Sequence, residues 1–213
     1  MSSETRLPAS PAVGAPARPL GRLGDWMRAA GIVLLASAFV AACAQVALPL
    51  YFTPVPLTLQ PFAVLVLGLL LSPRLAGAAL VAYLGEGALG LPVFAPVFGS
   101  GPASASGLAH LFGPTAGYLL AYPFAALLIS VLYRRSRRGF VPALVSAAAG
   151  NLLIFSIGAV WLAMLTHAAA AVVLSESVLP FLPGDALKVV AAAAIAAGWL
   201  RWQHRNPRSF PAT

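Results

Sequence analysis

The sequence predicts an all-α integral membrane protein: a bundle of six transmembrane helices with both termini cytoplasmic. Three observations carry that prediction. Of the 213 residues, 60% are hydrophobic and 8% charged, and mean hydropathy is +0.89; soluble domains carry about a quarter charged residues. Apolar runs recur along the chain, most of them near the roughly 20 residues that a helix needs to cross a bilayer. Twelve of the thirteen basic residues fall in alternate gaps between those runs. Arg6, Arg18, Arg22 and Arg28 precede the first run, and Arg74 separates the second from the third. Arg134, Arg135, Arg137 and Arg138 follow the fourth, and Arg201, Arg205 and Arg208 follow the last. Cationic gaps stay in the cytoplasm, so the chain starts and ends there. Lys188, the only lysine, is the exception.

Taken in order, residues 1–25 are rich in Pro, Ala, Arg and Gly and lack the apolar stretch of a signal peptide, so they predict a disordered cytoplasmic tail. Residues 26–205 form the membrane domain and 206–213 a short C-terminal tail. The first span covers Arg28 to Leu48; Pro49, Pro54 and Pro56 then hold an extended outer loop. The second, Leu57 to Leu71, is short and closes at Ser72-Pro73-Arg74. The third covers Leu75 to Leu91. Arg74 and Glu86 interrupt this pair, which predicts a tight helical hairpin; one span fewer would put the Arg134 cluster outside. A Gly-, Pro- and Ser-rich outer segment, Pro92 to Phe112, leads to the fourth span, Gly113 to Tyr133. The fifth covers Phe140 to Thr166 and the sixth Pro183 to Trp202. Small residues four apart on the first span, Ser37 with Ala41 and Ala38 with Ala42, suit close approach by another helix, although alanine is common throughout. The Ala-rich stretch Ala191 to Ala194 predicts tight packing inside the bundle.

Several functions are excluded. Basic residues at span ends serve topology and anionic lipid, which removes nucleic acid as a partner. Cys43 is alone, so no internal disulfide forms, and one Cys with three scattered His gives no metal-ligand spacing. Lys188 is followed by Val189, so no P-loop is present and the chain cannot hydrolyse ATP by that means. Gly-x-Ser-x-Gly and His-x-x-x-His do not occur. No cofactor is called for.

Ionisable groups at membrane depth need a reason. Here they are Glu86, Asp185 and Lys188, joined by the neutral Asn151, Gln45 and Gln60. Asp185 and Lys188, three apart, share a helix face. Asp185 reads either as a helix cap with Lys188 reaching to headgroups, or as half of an anion–cation pair for a zwitterionic or carboxylated ligand. Glu86 reads as a carboxylate at the outer interface, Asn151 as an interhelical hydrogen-bonding group, and His110 and His167 as solvated loop residues. Tyr83, Tyr118, Trp161 and Phe94 suit an apolar wall.

Four motifs then carry a resemblance: Val55-Pro56-Leu57-Thr58-Leu59-Gln60, Gly90-Leu91-Pro92-Val93-Phe94-Ala95, Gly113-Pro114-Thr115-Ala116-Gly117-Tyr118 and Leu182-Pro183-Gly184-Asp185-Ala186-Leu187-Lys188. In this order and spacing, from Ala29 to Arg201, the chain resembles the BioY family, the biotin-binding S components of energy-coupling factor (ECF) transporters. It departs from the family at Pro96-Val97-Phe98-Gly99-Ser100-Gly101, which is less Gly-rich, and at Ala116-Gly117, where the family has Gly-Gly. The resemblance implies a bacterial plasma-membrane protein that captures biotin on the outer side. It matches Asp185 and Lys188 to the family's Asp-x-x-Lys and adds Gln60, Tyr83, Glu86, Phe94, Tyr118 and Asn151 as candidate contacts. A ureido ring with two N–H donors and one carbonyl suits a carboxylate beside a cation. The ligand's own carboxylate is expected on Lys188 or on a loop hydroxyl, Ser100 or Ser104. A transmembrane T component is expected on Ser37, Ala38, Ala41 and Ala42, with two cytoplasmic ATPases supplying energy and the subunit toppling in the bilayer to release its cargo. Two other classes stay open: a stand-alone secondary transporter of another small carboxylated solute, and a membrane enzyme using Glu86 and Asp185 on lipid.

Overall fold

A computed structural model describes residues 20–96 and 107–206. Ser100 and Ser104, the two loop hydroxyls considered for the ligand's carboxylate, lie outside the described residues. Helix α1 runs Leu20–Gln45, α2 Gln60–Leu70, α3 Pro73–Ala88, α4 Ala116–Arg135, α5 Phe140–Thr166, α6 Ala170–Ser177 and α7 Leu182–Arg205. Single 3-10 turns at Leu108–Phe112 and Leu179–Phe181 precede α4 and α7.

The helix starts follow local chemistry. Proline in the first turn opens α2, α3 and α7, where its missing N–H costs nothing. The Ser72 hydroxyl also accepts from the Leu75 N–H at 3.4 Å, capping α3. Helix α1 begins well before the expected Arg28, so Leu20 to Asp25, assigned to the tail from composition, are helical. Between α1 and α2 the chain is not wholly irregular. Strands β1 (Ala47–Leu48) and β2 (Leu57–Thr58) pair antiparallel, Ala47 opposite Thr58, and close the proline-rich loop into a hairpin.

Among the described residues, four stretches are long and apolar enough to cross a membrane: Leu23–Gln45, Ala116–Arg135, Phe140–Thr166 and Ala170–Arg205. At about 1.5 Å per residue, α2 with 11 residues and α3 with 16 reach only about 17 and 24 Å of the ~30 Å hydrocarbon core. Leu35, Val145, Leu152, Met164 and Leu187, each more than 60% exposed, face away from the bundle. On a chain with these helices, such residues meet lipid; this is a membrane protein.

Helix α4 is the centre of the packing, touching α2, α3 and α5, while α7 closes on α2 and α5, and α1 lies on α3 and α2. Close approach is built on glycine. Ile129 of α4 is held between Gly68 of α2 and Gly150 of α5; a Cβ on either would come within 3 Å of its side chain. Farther along the same antiparallel contact, Gly158 lies on the Tyr118 ring and Gly117 on Trp161. Small residues perform this task in lipid, where burial supplies no drive for helix association. Ala192, Ala193 and Ala196 are buried against α2, α4 and α5 residues, as the alanine run predicts.

Candidate binding site

At the end of the bundle opposite the Arg134–Arg138 cluster lies a cavity of about 920 Å³, within the range of small-molecule sites. It exists because α2 starts late. Gln60 and Pro61 at its first turn form part of the floor, and the chain above them, Pro49 to Pro56, folds over as a wall. The 3-10 turn at 108–112 and the start of α4 supply His110, Thr115, Tyr118 and Tyr122. Ile154 and Phe155 come from α5, Ser177 and Phe181 from the α6 segment, and Asp185 and Lys188 from α7. Helices α2, α4 and α7 all direct their N-termini toward this space, so their dipoles favour negative charge there.

The charged pair is formed. Lys188 Nζ donates to Asp185 Oδ1 at 2.6 Å, with side chains 11% and 5% exposed. Asp185 does not cap α7: that position is Phe181, which makes no side-chain cap bond. Nor does Lys188 extend to headgroups, because its ammonium is turned back onto the preceding helical turn. The two side chains meet as an ion pair at the cavity wall.

Behind the wall a relay of side chains fixes the polar surface. Thr58 Oγ1 donates to Gln60 Oε1 at 3.2 Å, Gln60 Nε2 donates to the Tyr83 hydroxyl, and Tyr83 donates to the Val93 carbonyl at 3.1 Å. The Tyr83 ring meets Phe94 edge-on at 5.5 Å, and Phe94 stacks on His110 at 4.8 Å with 19° between planes. Gly87 makes room for Phe94; a Cβ there would sit 2.1 Å from the ring. Gln45 Nε2 ties α1 to the same segment through the Phe94 carbonyl at 3.2 Å. Tyr118 donates to the Ser177 carbonyl at 3.1 Å, and Trp161 Nε1 to the Gly113 carbonyl at 2.9 Å.

Sequence-predicted residues therefore divide. Gln60, Tyr118, Asp185 and Lys188 line the cavity, while Tyr83 and Phe94 stand behind it and hold Gln60 and His110 in place. Glu86 does not reach it. Its half-buried carboxylate accepts from Ser37 Oγ between α3 and α1. Asn151 lines a separate crevice between α5 and α7, which Asp185 also borders, and its Oδ1 is buried without the hydrogen bond expected of it. Ser37 is fully buried by its contact with Glu86, and Ala41 packs on the core. Only Ala38 and Ala42 of that quartet stay on the exposed face of α1. His110, read as a solvated loop residue, is instead a wall of the cavity. Tyr122 was missed, although its spacing of four from Tyr118 puts both on one helix face.

Comparison with known proteins follows the same lines. A family model described as the BioY family matches residues 16–205. The chain belongs to the BioY family. A BioY relative from Pyrococcus horikoshii, named "Probable biotin transporter BioY", is 41% identical over 143 residues, 67% of this chain and 79% of that protein. The "Biotin transporter BioY" of Thermotoga maritima is 34% identical over 160 residues, 75% of this chain and 88% of that one. A crystal structure of the S-component for biotin from an ECF-type ABC transporter has the same fold. Its TM-score is 0.73 at 24% identity, over 84% of this chain and 93% of that chain. In this BioY chain the motifs that carried the resemblance all reach the cavity or its immediate support: 55–60, 90–95, 113–118 and 182–188.

Proposed function

We propose that this chain is the biotin-capturing S component of an ECF transporter: a transport subunit, not an enzyme. It sits in the plasma membrane as six spans, α1 to α5 and α7, with α6 covering the outer end and both termini in the cytoplasm. The observation that carries the reading is the Asp185–Lys188 pair opening into a mostly apolar 920 Å³ cavity beside Gln60 and Tyr118. A fused ureido–thioether bicycle offers N–H donors to the carboxylate, a carbonyl to the ammonium, and apolar carbon to Phe155, Phe181, Ile154 and Leu119. A ligand lacking the polar ring would leave the pair bare, so discrimination is sharp. The names carried by the relatives, and the positive-inside distribution of arginine, support the same assignment.

Lacking any nucleotide motif, the chain depends on partners for energy: a transmembrane T component on the exposed α1 face around Ala38 and Ala42, and two cytoplasmic ATPases. The test is titration of the purified protein with biotin in detergent, with Asp185→Asn and Lys188→Ala alongside. Tight binding is expected for the wild type and strong loss in both variants. Absence of heat and of thermal stabilisation in the wild type would end the assignment.

A further inference from the structure

Among the described residues, the polar side chains buried in the cavity wall are Gln60, Tyr118, Tyr122, Ser177 and Asp185. Four of them are committed within the protein. Gln60 accepts from Thr58 and donates to Tyr83, and Tyr118 donates to the Ser177 carbonyl. The Ser177 hydroxyl turns back to the Val173 carbonyl at 2.6 Å, and Asp185 accepts from Lys188. Tyr122 differs. It is 3% exposed, and its hydroxyl makes no hydrogen bond among the described residues. A buried hydroxyl left unpaired is costly, and one in a cavity wall is completed by a polar atom of whatever enters.

The hydroxyl belongs to the polar end of the cavity. The Asp185 carboxylate and the Tyr83 and Tyr118 phenols are its electrostatic neighbours. Tyr122 comes from α4, whereas Asp185 and Lys188 come from α7. Both helices pack on α2 and α5, so their inward residues face each other across the space. The Tyr122 ring is also held in place. It lies in the apolar cluster that contains Tyr83, Leu119, Phe155 and Phe181, one helical turn from the tethered Tyr118. A side chain fixed in this way loses little freedom when a ligand arrives.

We propose that the Tyr122 hydroxyl is a specificity-determining donor to the carbonyl of the ligand's ring urea. This role rests on the reading above that the ligand is biotin, and deepens it. A carbonyl oxygen has two acceptor sites, and an ammonium has three N–H donors. Lys188, with one donor on Asp185, can meet the oxygen from α7 while the phenol meets it from α4. Donation to the carbonyl also draws electron density from the ring nitrogens and strengthens the N–H bonds that they give to Asp185. A solute without that acceptor leaves the phenol bare in an apolar wall and is disfavoured for it.

The deciding experiment pairs Tyr122→Phe with two ligands, biotin and 2-thiobiotin, in which sulfur replaces the urea oxygen and both N–H donors remain. Affinities are read by calorimetry, with displacement of biotin for the weaker ligand, and the unliganded proteins are melted in the same detergent. Tyr122→Phe is expected to lose about 3- to 10-fold in affinity for biotin. For 2-thiobiotin, whose sulfur is a weak acceptor, the loss should stay below about twofold. Without ligand the variant should melt no lower than the wild type, because phenylalanine keeps the ring and removes an unpaired hydroxyl. Equal losses for the two ligands, with a lower unliganded melting temperature or without one, would make Tyr122 a packing residue and overturn the proposal. An unchanged biotin affinity would overturn it as well, and would leave the vitamin reading standing. Wild-type protein that does not bind biotin would overturn that reading itself.

Discussion

Asp185 and Lys188 allow stability and recognition to be separated by one set of variants. With side chains 5% and 11% exposed, removal of either partner strands a charge in a nearly dry site. Breaking a fully buried pair this way costs about 3–5 kcal/mol. Lys188 borders a cavity that water enters, which brings the expectation down to about 2–3 kcal/mol for Lys188→Met or Asp185→Asn. For a chain of this length each kcal/mol moves the melting temperature by about 2–4 °C, so each single variant should melt roughly 5–10 °C lower. The double variant, Asp185→Asn with Lys188→Met, strands nothing. Replacing a buried pair by neutral groups of similar size is often close to neutral, so it should melt near the wild type. It should still fail to hold biotin, losing about 100-fold or more, because two charge-assisted contacts are gone. Thermal unfolding in detergent and calorimetry read the two quantities independently. A double variant as unstable as the two singles combined, or one that binds like the wild type, would refute the electrostatic reasoning.

Other expectations follow from the packing. Gly158→Ala puts a Cβ 2.3 Å from the Tyr118 ring, so it should cost about 1–3 kcal/mol and weaken binding by displacing a cavity wall; Gly198→Ala, with nothing within 4 Å, should be neutral or mildly stabilising in the same melt. Glu86→Gln keeps an acceptor for Ser37 and should leave biotin affinity within about twofold, as surface-like changes do; a large loss would bring Glu86 back into the site. Ala38→Trp and Ala42→Trp, on the exposed side of α1, should abolish ATP-driven uptake in cells while calorimetry of the isolated subunit is unchanged. With Cys43 replaced by Ser, Tyr51→Cys should react with an impermeant maleimide on intact cells and Ser136→Cys only after permeabilisation; the reverse pattern would invert the topology.

Much of this was legible in the sequence, and the parts that were not have physical causes. The bounds of α5 emerged as expected because Gly139 and His167 bracket a long, predominantly apolar run without a single charge. Helix α2 was read three residues too early because Leu57 and Thr58 are apolar enough for a helix yet are captured by pairing with β1. Helix α6 left no signal, since the polar residues Ser175, Glu176 and Ser177 break its short apolar run. In the site, Asp185 and Lys188 announced themselves by cost: among the described residues no other charged pair lies so deep. Gln60 and Tyr118 came with their motifs. Glu86 looked equally expensive but is satisfied by Ser37, forty-nine residues away, a contact that no local pattern encodes. His110 was missed for the converse reason. A histidine in a Gly- and Ser-rich loop looks hydrated, and only the fold brings Phe94 beneath it.

A receptacle whose two formal charges already cancel exerts little pull on the simple salts that surround a cell. Potassium, chloride and phosphate outnumber any vitamin enormously, and a bare carboxylate or ammonium at the mouth would be occupied by them most of the time. By closing Lys188 onto Asp185 while it waits, the protein stays indifferent to that background and yields only to a solute that presents donors and an acceptor together.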